Sequence, residues 1–218
     1  MNRSAKALLG AAITFGIAAV LHSPTAAHHH TPEARGEVAV KGDTSEGAKE
    51  ESKPDRFEFP RAGTARLIDE KEIEKMLKTH GSDMLVVNFW ATWCGPCVEE
   101  LPYFVALSKE LETEKVRIAG VSVDFDNQVE DVVIPFLQRR EIPYSNVVYF
   151  GDPEAVMEIF SEEWTGAIPA TFFFDREGNH LGEVLEAVTE EELRELVEKH
   201  YAMVKEASSE AEETASAE

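Results

Sequence analysis

The sequence predicts an α/β domain in which helices cover both faces of a mixed β-sheet, giving three layers. Two runs, Met84–Trp90 and Val116–Val123, are apolar nearly throughout, which is typical of central strands that are buried on both faces. Segments with helical periodicity separate the strands, as parallel connections require. A predicted hairpin, Ala170–Asp175 with His180–Glu186, supplies the antiparallel part. We expect this single domain to span residues 61–203.

The remaining elements alternate between short strands and helices. In chain order we predict a strand at Ala65–Ile68, a helix at Asp69–His80, a helix at Val98–Leu111, a helical segment at Asn127–Arg140, a strand at Asn146–Phe150, a helix at Pro153–Trp164 and a helix from Thr189 to Met203. Pro135 should kink the segment at Asn127–Arg140 or begin a new turn there. Asp69 is a good N-cap residue for the first helix. Thr189 with Glu192 three residues later forms a capping-box pattern for the last helix.

The N-terminal segment has the pattern of a secretory signal. Arg3 and Lys6 precede the apolar stretch Ala7–Leu21, and small residues allow cleavage after Ala27. The apolar stretch is long for a signal peptide and short for a bilayer span, so residues 1–27 are either a signal peptide or a membrane anchor. The absence of cysteine there excludes a lipoprotein anchor. Both interpretations predict an extracytoplasmic protein, periplasmic or secreted, where disulfide exchange is relevant chemistry.

Two polar segments flank the predicted domain. Residues 28–60 are rich in Glu, Lys, Gly, Ala and Pro and predict a flexible linker, and residues 204–218 predict an acidic disordered tail. The triplet His28–His30 has the chemistry to bind a metal, but a solvated linker is the alternative, and the sequence leaves this open. The net charge of −21 disfavours nucleic acid as a partner.

The two cysteines of the chain, Cys94 and Cys97, lie between a predicted strand and a predicted helix. At the start of a helix they would lie on one side, close enough to form a disulfide. Free N–H groups and the helix dipole favour a thiolate at Cys94, which makes it the attacking sulfur and Cys97 the resolving sulfur. A purely structural disulfide would close too short a loop to stabilise the fold much. A zinc site would need ligands that the chain does not offer at suitable spacing.

The run from Asn88 to Cys97, Asn-Phe-Trp-Ala-Thr-Trp-Cys-Gly-Pro-Cys, followed by Val-Glu-Glu-Leu-Pro102, resembles the thioredoxin superfamily. Within it, the chain is most similar to the extracytoplasmic thiol-disulfide oxidoreductases of the TlpA/ResA type. The resemblance covers residues 61–203. It implies a thioredoxin-like fold, a redox-active disulfide with no other cofactor and no metal, and a monomer.

The resemblance also assigns roles to residues around the cysteines. It implies a cis-proline at Pro169 that, with Ile168, offers backbone groups to an extended substrate. Trp93 is expected to shield the sulfurs and contact partners, and Gly95 and Pro96 form the dipeptide between the cysteines.

Glu100 is a further candidate, because glutamate at this place in ResA-type proteins tunes the thiol pKa values and handles protons. It follows Cys97 by three residues and so falls on the same helix side. Burial there would raise its pKa and suit it to accept a proton. Asn88 stands where cytoplasmic thioredoxin has a buried aspartate, and since Asn cannot exchange a proton, the departure strengthens the case for Glu100. The alternative is a solvated helix glutamate, which describes Glu99 better.

These features predict a thiol-disulfide oxidoreductase that reduces disulfides of exported proteins. The resemblance implies substrates in cytochrome c maturation or metal-site assembly, and a membrane thiol donor of the DsbD/CcdA type. Three alternatives stay open: a disulfide-donating oxidant, a copper- or peptide-binding module without turnover, and a thiol peroxidase. The peroxidase motif Pro-x-x-x-Thr/Ser-x-x-Cys is absent, since Val87 and Ala91 occupy its positions before Cys94.

Overall fold

The computed structural model describes residues 55–216. Strands and helices alternate as predicted, and they are, in chain order, β1 (Leu67–Ile68), α1 (Glu70–Thr79), β2 (Met84–Trp90), α2 (Gly95–Ser108), β3 (Val116–Ser122), a 3₁₀ turn (Asp126–Gln128), a π-helical turn (Val129–Val133), α3 (Ile134–Arg139), β4 (Ser145–Tyr149), α4 (Pro153–Phe160), β5 (Ala170–Asp175), β6 (His180–Val184) and α5 (Glu190–Ser216).

Six strands form one mixed sheet in the order β1-β4-β3-β2-β5-β6. The pairs β1–β4, β4–β3 and β3–β2 are parallel, whereas β5 pairs antiparallel with β2 and β6 antiparallel with β5. Every residue of β2 is buried, which confirms it as a central strand. Because four neighbouring strands run in one direction, the loops after β1, β2, β3 and β4 all leave the sheet at the same edge, here called the carboxyl edge.

Each face of the sheet has its own apolar core. The first core includes Phe104 of α2 and Leu193 of α5, and the second includes Ile73 of α1 and Phe160 of α4. Neighbouring strand residues alternate between them, with Val86 in the first core and the next residue in the second, as the period of a strand requires. The predicted three-layer architecture is therefore confirmed.

Side chains cap the first and last helices as predicted. The Glu72 N–H donates to Asp69 Oδ1 over 3.0 Å at the start of α1. At α5 the Glu192 N–H donates to Thr189 Oγ1 over 3.3 Å, and the Thr189 N–H donates to Glu192 Oε2 over 2.8 Å. These contacts use amides that a helix leaves unpaired in its first turn.

The predicted helical segment at Asn127–Arg140 is not one α-helix, and a new helix begins beside Pro135, as one of the two predicted outcomes had it. The segment is a 3₁₀ turn, a π-helical turn and then α3, which has Pro135 in its first turn. Proline has no N–H and cannot continue the hydrogen-bond ladder of a preceding helix. The Ile134 N–H donates instead to the Val129 carbonyl, five residues back.

The folded part begins before residue 61, so the predicted linker boundary at residue 60 is too late. Phe57 is buried, its N–H donates to Thr79 Oγ1 over 2.9 Å, and the Arg66 guanidinium lies 5.0 Å from its ring centroid. An aromatic side chain within a polar run gains enough from burial to anchor the chain. The predicted signal or anchor at residues 1–27 and the triplet His28–His30 lie outside the described residues.

The predicted end of the last helix near Met203, and the disordered tail after it, are corrected by the structure. α5 continues to Ser216, and Val204 is buried against the first core. Residues 204–216 contain no Gly or Pro and are rich in Ala and Glu, which are strong helix formers. Repulsion among their negative charges does not outweigh this helix propensity, because the earlier turns of α5 are already packed against the first core. No helix in the described part of the chain is both long and apolar enough to span a bilayer.

Candidate active site

The candidate active site lies where β2 ends and α2 begins. Cys94 is the N-cap residue of α2, with extended backbone angles of φ −85° and ψ 103°. The Cys97 N–H, one turn inside the helix, donates to Cys94 Sγ over 3.3 Å. The predicted position of Cys94 at the helix start is confirmed, and there the helix dipole favours negative charge on its sulfur.

The two sulfurs form a disulfide, and the Cα atoms of Cys94 and Cys97 lie 5.3 Å apart. This spacing is within the range that disulfides require. Cys94 retains 6% of its accessible surface and Cys97 none, which confirms that the second sulfur is the less accessible one. An incoming sulfur therefore reaches Cys94 and not Cys97.

The loop before β5 brings a distant segment to the disulfide. The Ile168–Pro169 peptide bond is cis, as predicted, and the Ile168 carbonyl oxygen lies 3.9 Å from Cys94 Sγ. Antiparallel pairing of β5 with β2 sets Ala170 opposite Phe89, and this register holds the loop beside the cysteines. The backbone around the proline is thus placed to meet a substrate that is bonded to Cys94.

Glu100 lies buried on the inner side of α2 and accepts two hydrogen bonds. Its Oε1 accepts from Asn88 Nδ2 at 2.9 Å, and its Oε2 accepts from the Val188 N–H at 3.1 Å. Burial raises the pKa of Glu100, and the hydrogen bonds from Val188 and then Asn88 offset part of the rise. The predicted burial and direction of the pKa shift are confirmed, while Glu99 is exposed.

Asn88 can serve both protonation states of Glu100. Asn88 Nδ2 also donates to Thr171 Oγ1 over 3.2 Å, while Asn88 Oδ1 has no partner within residues 55–216. Rotation of the amide by a half turn would present Oδ1 to a protonated Glu100 and to the Thr171 hydroxyl. The cluster can therefore hold a proton on Glu100 or release it without leaving the carboxyl group unpaired.

Tyr144 is buried beside this cluster. Its hydroxyl has no hydrogen-bond partner in the described part of the chain. Burial, and then the charge of Glu100, raise the pKa of Tyr144 far above the usual value, so it stays neutral. Sequence analysis did not predict a tyrosine here, because it lies in the loop before β4 and only the fold brings it near α2.

Asp124 is a second residue that sequence analysis missed. It is buried at the end of β3 and accepts from the Thr92 N–H at 2.9 Å, the Thr92 hydroxyl at 2.5 Å and the Ser122 hydroxyl at 2.7 Å. These bonds fix the turn that leads from β2 to Cys94. An acidic residue directly after a buried strand was the available signal, since such residues gather at the carboxyl edge.

The other predicted site residues surround Cys94 on the surface. Trp93 is 63% exposed, and Gly95 and Pro96 are exposed beside it, whereas Ile168 is half-buried. The structure thus brings all predicted substrate-contacting residues to one place around the first sulfur. Among the residues that the structure places, no group of three or more His, Cys, Asp or Glu side chains could hold a metal ion.

A helix-capping cysteine pair, faced by a cis-proline loop on a sheet of this order, defines a thioredoxin-like thiol-disulfide oxidoreductase. Residues 56–179 match the model of the AhpC/TSA family, and the chain belongs to that family.

Curated relatives include thiol-disulfide oxidoreductase ResA of Bacillus cereus (strain ATCC 10987 / NRS 248), which is 25% identical over 149 residues, or 68% of this chain and 82% of ResA. ResA of Geobacillus kaustophilus is 28% identical over 139 residues, covering 64% of this chain and 73% of the relative. Among solved structures, StoA of Bacillus subtilis is 24% identical with a TM-score of 0.42, covering 53% of this chain and 81% of StoA. A thioredoxin-related protein of Neisseria meningitidis serogroup B is 24% identical with a TM-score of 0.48, covering 56% of this chain and 87% of that protein.

Proposed function

We propose that this protein reduces disulfide bonds of exported proteins by cycling Cys94 and Cys97 between dithiol and disulfide. The observation that carries the proposal is the placement of Cys94 at the helix N-cap, with Cys97 buried one turn on and Glu100 buried a further turn along the same helix. Support for export comes from the signal-like pattern of residues 1–27. The role of Cys94–Cys97 as the redox-active group, with no other cofactor, is part of the same proposal.

In the first step the Cys94 thiolate attacks one sulfur of a substrate disulfide. A mixed disulfide forms, the substrate S–S bond breaks, and the other substrate sulfur leaves as a thiolate. The amides at the start of α2 stabilise the attacking anion. Backbone groups beside the cis Ile168–Pro169 bond hold the substrate segment.

In the second step Cys97 releases the substrate. The Cys97 thiol gives its proton to the Glu100 carboxylate, and its sulfur attacks Cys94 Sγ. The Cys94–Cys97 disulfide forms and the second substrate thiolate leaves. Two electrons have passed from the protein dithiol to the substrate disulfide, so a membrane thiol donor of the DsbD/CcdA type would have to restore the dithiol.

The Gly95–Pro96 dipeptide supports the reducing direction, since it is the dipeptide of thioredoxin. Substrates in cytochrome c maturation or metal-site assembly, and a monomeric state, remain part of the proposal through the family resemblance. Oxidation of substrates is the alternative direction, and a measured reduction potential near that of strong oxidants, about −120 mV, would favour it. Peroxidase chemistry gains no support, because the two motif positions before Cys94 are the buried apolar residues Val87 and Ala91.

The test is covalent trapping with the full chain. Cys97→Ser removes the resolving sulfur, so exported proteins should accumulate as mixed disulfides on Cys94, identified by mass spectrometry. A variant with both Cys94→Ser and Cys97→Ser is the matched control and should trap nothing. If Cys97→Ser also traps nothing beyond this control, the exchange mechanism is wrong.

A further inference from the structure

Three large aromatic side chains are exposed at the carboxyl edge of the sheet. Trp93, Phe125 and Phe150 follow the adjacent parallel strands β2, β3 and β4, and they are 63%, 70% and 57% exposed. The side-chain and backbone bonds from Thr92 to Asp124 hold the first two loops together. Folded domains bury most of their large aromatic residues, so a row of three exposed ones marks a contact surface.

A cleft of about 330 Å³ opens between the Phe125 and Phe150 loops. Its walls include the apolar side chains of Val156, Met157 and Trp164. We call this feature the aromatic cleft.

A short loop, residues 164–168, leads from the aromatic cleft to the disulfide. The indole N–H of Trp164, at the back of the cleft, donates to the Ala167 carbonyl over 2.8 Å. The next carbonyl, that of Ile168, lies 3.9 Å from Cys94 Sγ. A chain bonded to Cys94 and lying along this loop would therefore enter the cleft.

The charge around the aromatic cleft is negative. The segments that line it, residues 123–126, 149–157 and 164–166, contain no Lys or Arg, and they expose Asp126, Asp152 and Glu154. At the same edge, α1 carries Lys71 in its first turn. A second copy of this chain, with a net charge of −21, would bring like charge to the surface. A basic partner fits better.

We propose that the aromatic cleft is the docking site for the substrate polypeptide next to its reacting cysteine. The fitting segment is extended, carries Lys or Arg, and places a large apolar or aromatic side chain in the cleft. Two strand spacings separate β2 from β4, roughly 10 Å, which an extended chain covers in about three residues. The proposal rests on the proposed function, because it names the class of substrate that the same disulfide serves.

The test uses reduced full-length protein and synthetic peptides whose single cysteine is a mixed disulfide with glutathione. Lysine-containing peptides carry Phe three residues from the cysteine, Phe eight residues away, or Ala in place of Phe. We measure kcat/KM for each peptide and divide it by the value for glutathione disulfide, which is too small to reach the cleft. The variants are Phe125→Ser with Phe150→Ser, and Met203→Ser as a control at an exposed apolar residue of α5 (44% exposed).

The wild-type protein should prefer the peptide with Phe at three residues by about 10-fold, the magnitude expected for burying one aromatic side chain. The double variant should lose this preference, and Met203→Ser should keep it. Replacing the peptide lysines with glutamates should lower the ratio of kcat/KM for the peptide to that for glutathione disulfide. Added salt should narrow the difference between the lysine and the glutamate peptides.

Equal ratios for all peptides, or a preference that survives in the double variant, would overturn the docking proposal while leaving the proposed function intact. If the wild-type protein reduces neither glutathione disulfide nor any of the peptides, the docking proposal and the proposed function are both overturned. Sedimentation supplies a separate check on the occupant. A wild-type dimer that dissociates in the double variant would assign the cleft to a second copy and refute substrate docking.

Discussion

Replacing Glu100 with Gln tests whether this carboxylate takes the proton of Cys97. A positioned general base typically contributes roughly 100- to 10,000-fold to a proton-transfer step. We therefore expect Glu100→Gln to slow the release of the mixed disulfide by about 100-fold or more. The attack by Cys94 should change far less, because it depends on the start of α2.

The same substitution has a pH-dependent effect on stability. Gln has one acceptor oxygen where the Glu100 carboxylate accepts from both Asn88 and Val188, so one buried donor loses its partner, at a cost of about 1–3 kcal/mol. The pKa of Glu100 is raised in the folded state. Its contribution is therefore fully present below the unfolded pKa of about 4.3 and is lost as pH rises through the folded pKa. The stability advantage of the wild-type protein over Glu100→Gln should thus be largest in acid and shrink toward neutral pH.

Two measurements check these effects. Stopped-flow tryptophan fluorescence can follow formation and decay of a glutathione mixed disulfide over a pH series, and the wild-type decay rate should fall as pH drops through the raised Glu100 pKa. Urea unfolding of the disulfide form gives the stability difference at each pH. Glu99→Gln, on the exposed side of the same helix turn, is the control and should match the wild-type protein. Wild-type decay kinetics with an unchanged pH profile in Glu100→Gln would refute the proton-acceptor role.

Three further substitutions probe the frame of the site, each by urea unfolding. Asp124→Ala leaves three donors without their acceptor and should destabilise by about 2–4 kcal/mol, whereas a loss below about 1 kcal/mol would show that the turn does not depend on it. Tyr144→Phe removes a buried, unpaired hydroxyl and should be neutral or stabilise by up to about 1 kcal/mol, so a clear loss would reveal a missing partner. Gly178→Ala should lower the free energy of unfolding by about 1–3 kcal/mol, because φ is +83° and the new Cβ would lie 2.8 Å from the Leu77 carbonyl oxygen. Gly95→Ala is its control, because a Cβ there would have no atom within 4 Å.

The parts of the fold that the sequence predicted well have local causes. The β2 run is apolar at every position but one, so burial on both faces followed from composition alone. Asp69 and Thr189 cap helices through atoms within three residues, which a short pattern can express. Cys94 and Cys97 combine a cap, a turn and a chemical type in four residues, and for this reason the centre of the site was predictable.

The parts that were missed depend on contacts between distant segments. Val188 reaches Glu100 across 88 positions of sequence, and Asp124 reaches Thr92 across 32, so no local pattern indicates either bond. Residues 204–216 show a different failure. Their acidic composition suggested disorder, but the helix propensity of Ala and Glu, together with the docked Val204, extends α5 instead.

Proton handling and substrate docking lie on opposite faces of the sheet. Cys97 and Val188, which flank Glu100, belong to the core under α2 and α5, whereas Trp164 at the back of the aromatic cleft belongs to the core under α1 and α4. A separate cleft of about 330 Å³ lies beside Val188, between the loop after β6 and α5. A substrate in the aromatic cleft would leave that second cleft uncovered, because the two clefts share no lining residue. The surface that selects substrates can therefore change in sequence without altering the group that completes the reaction, since the central sheet separates them.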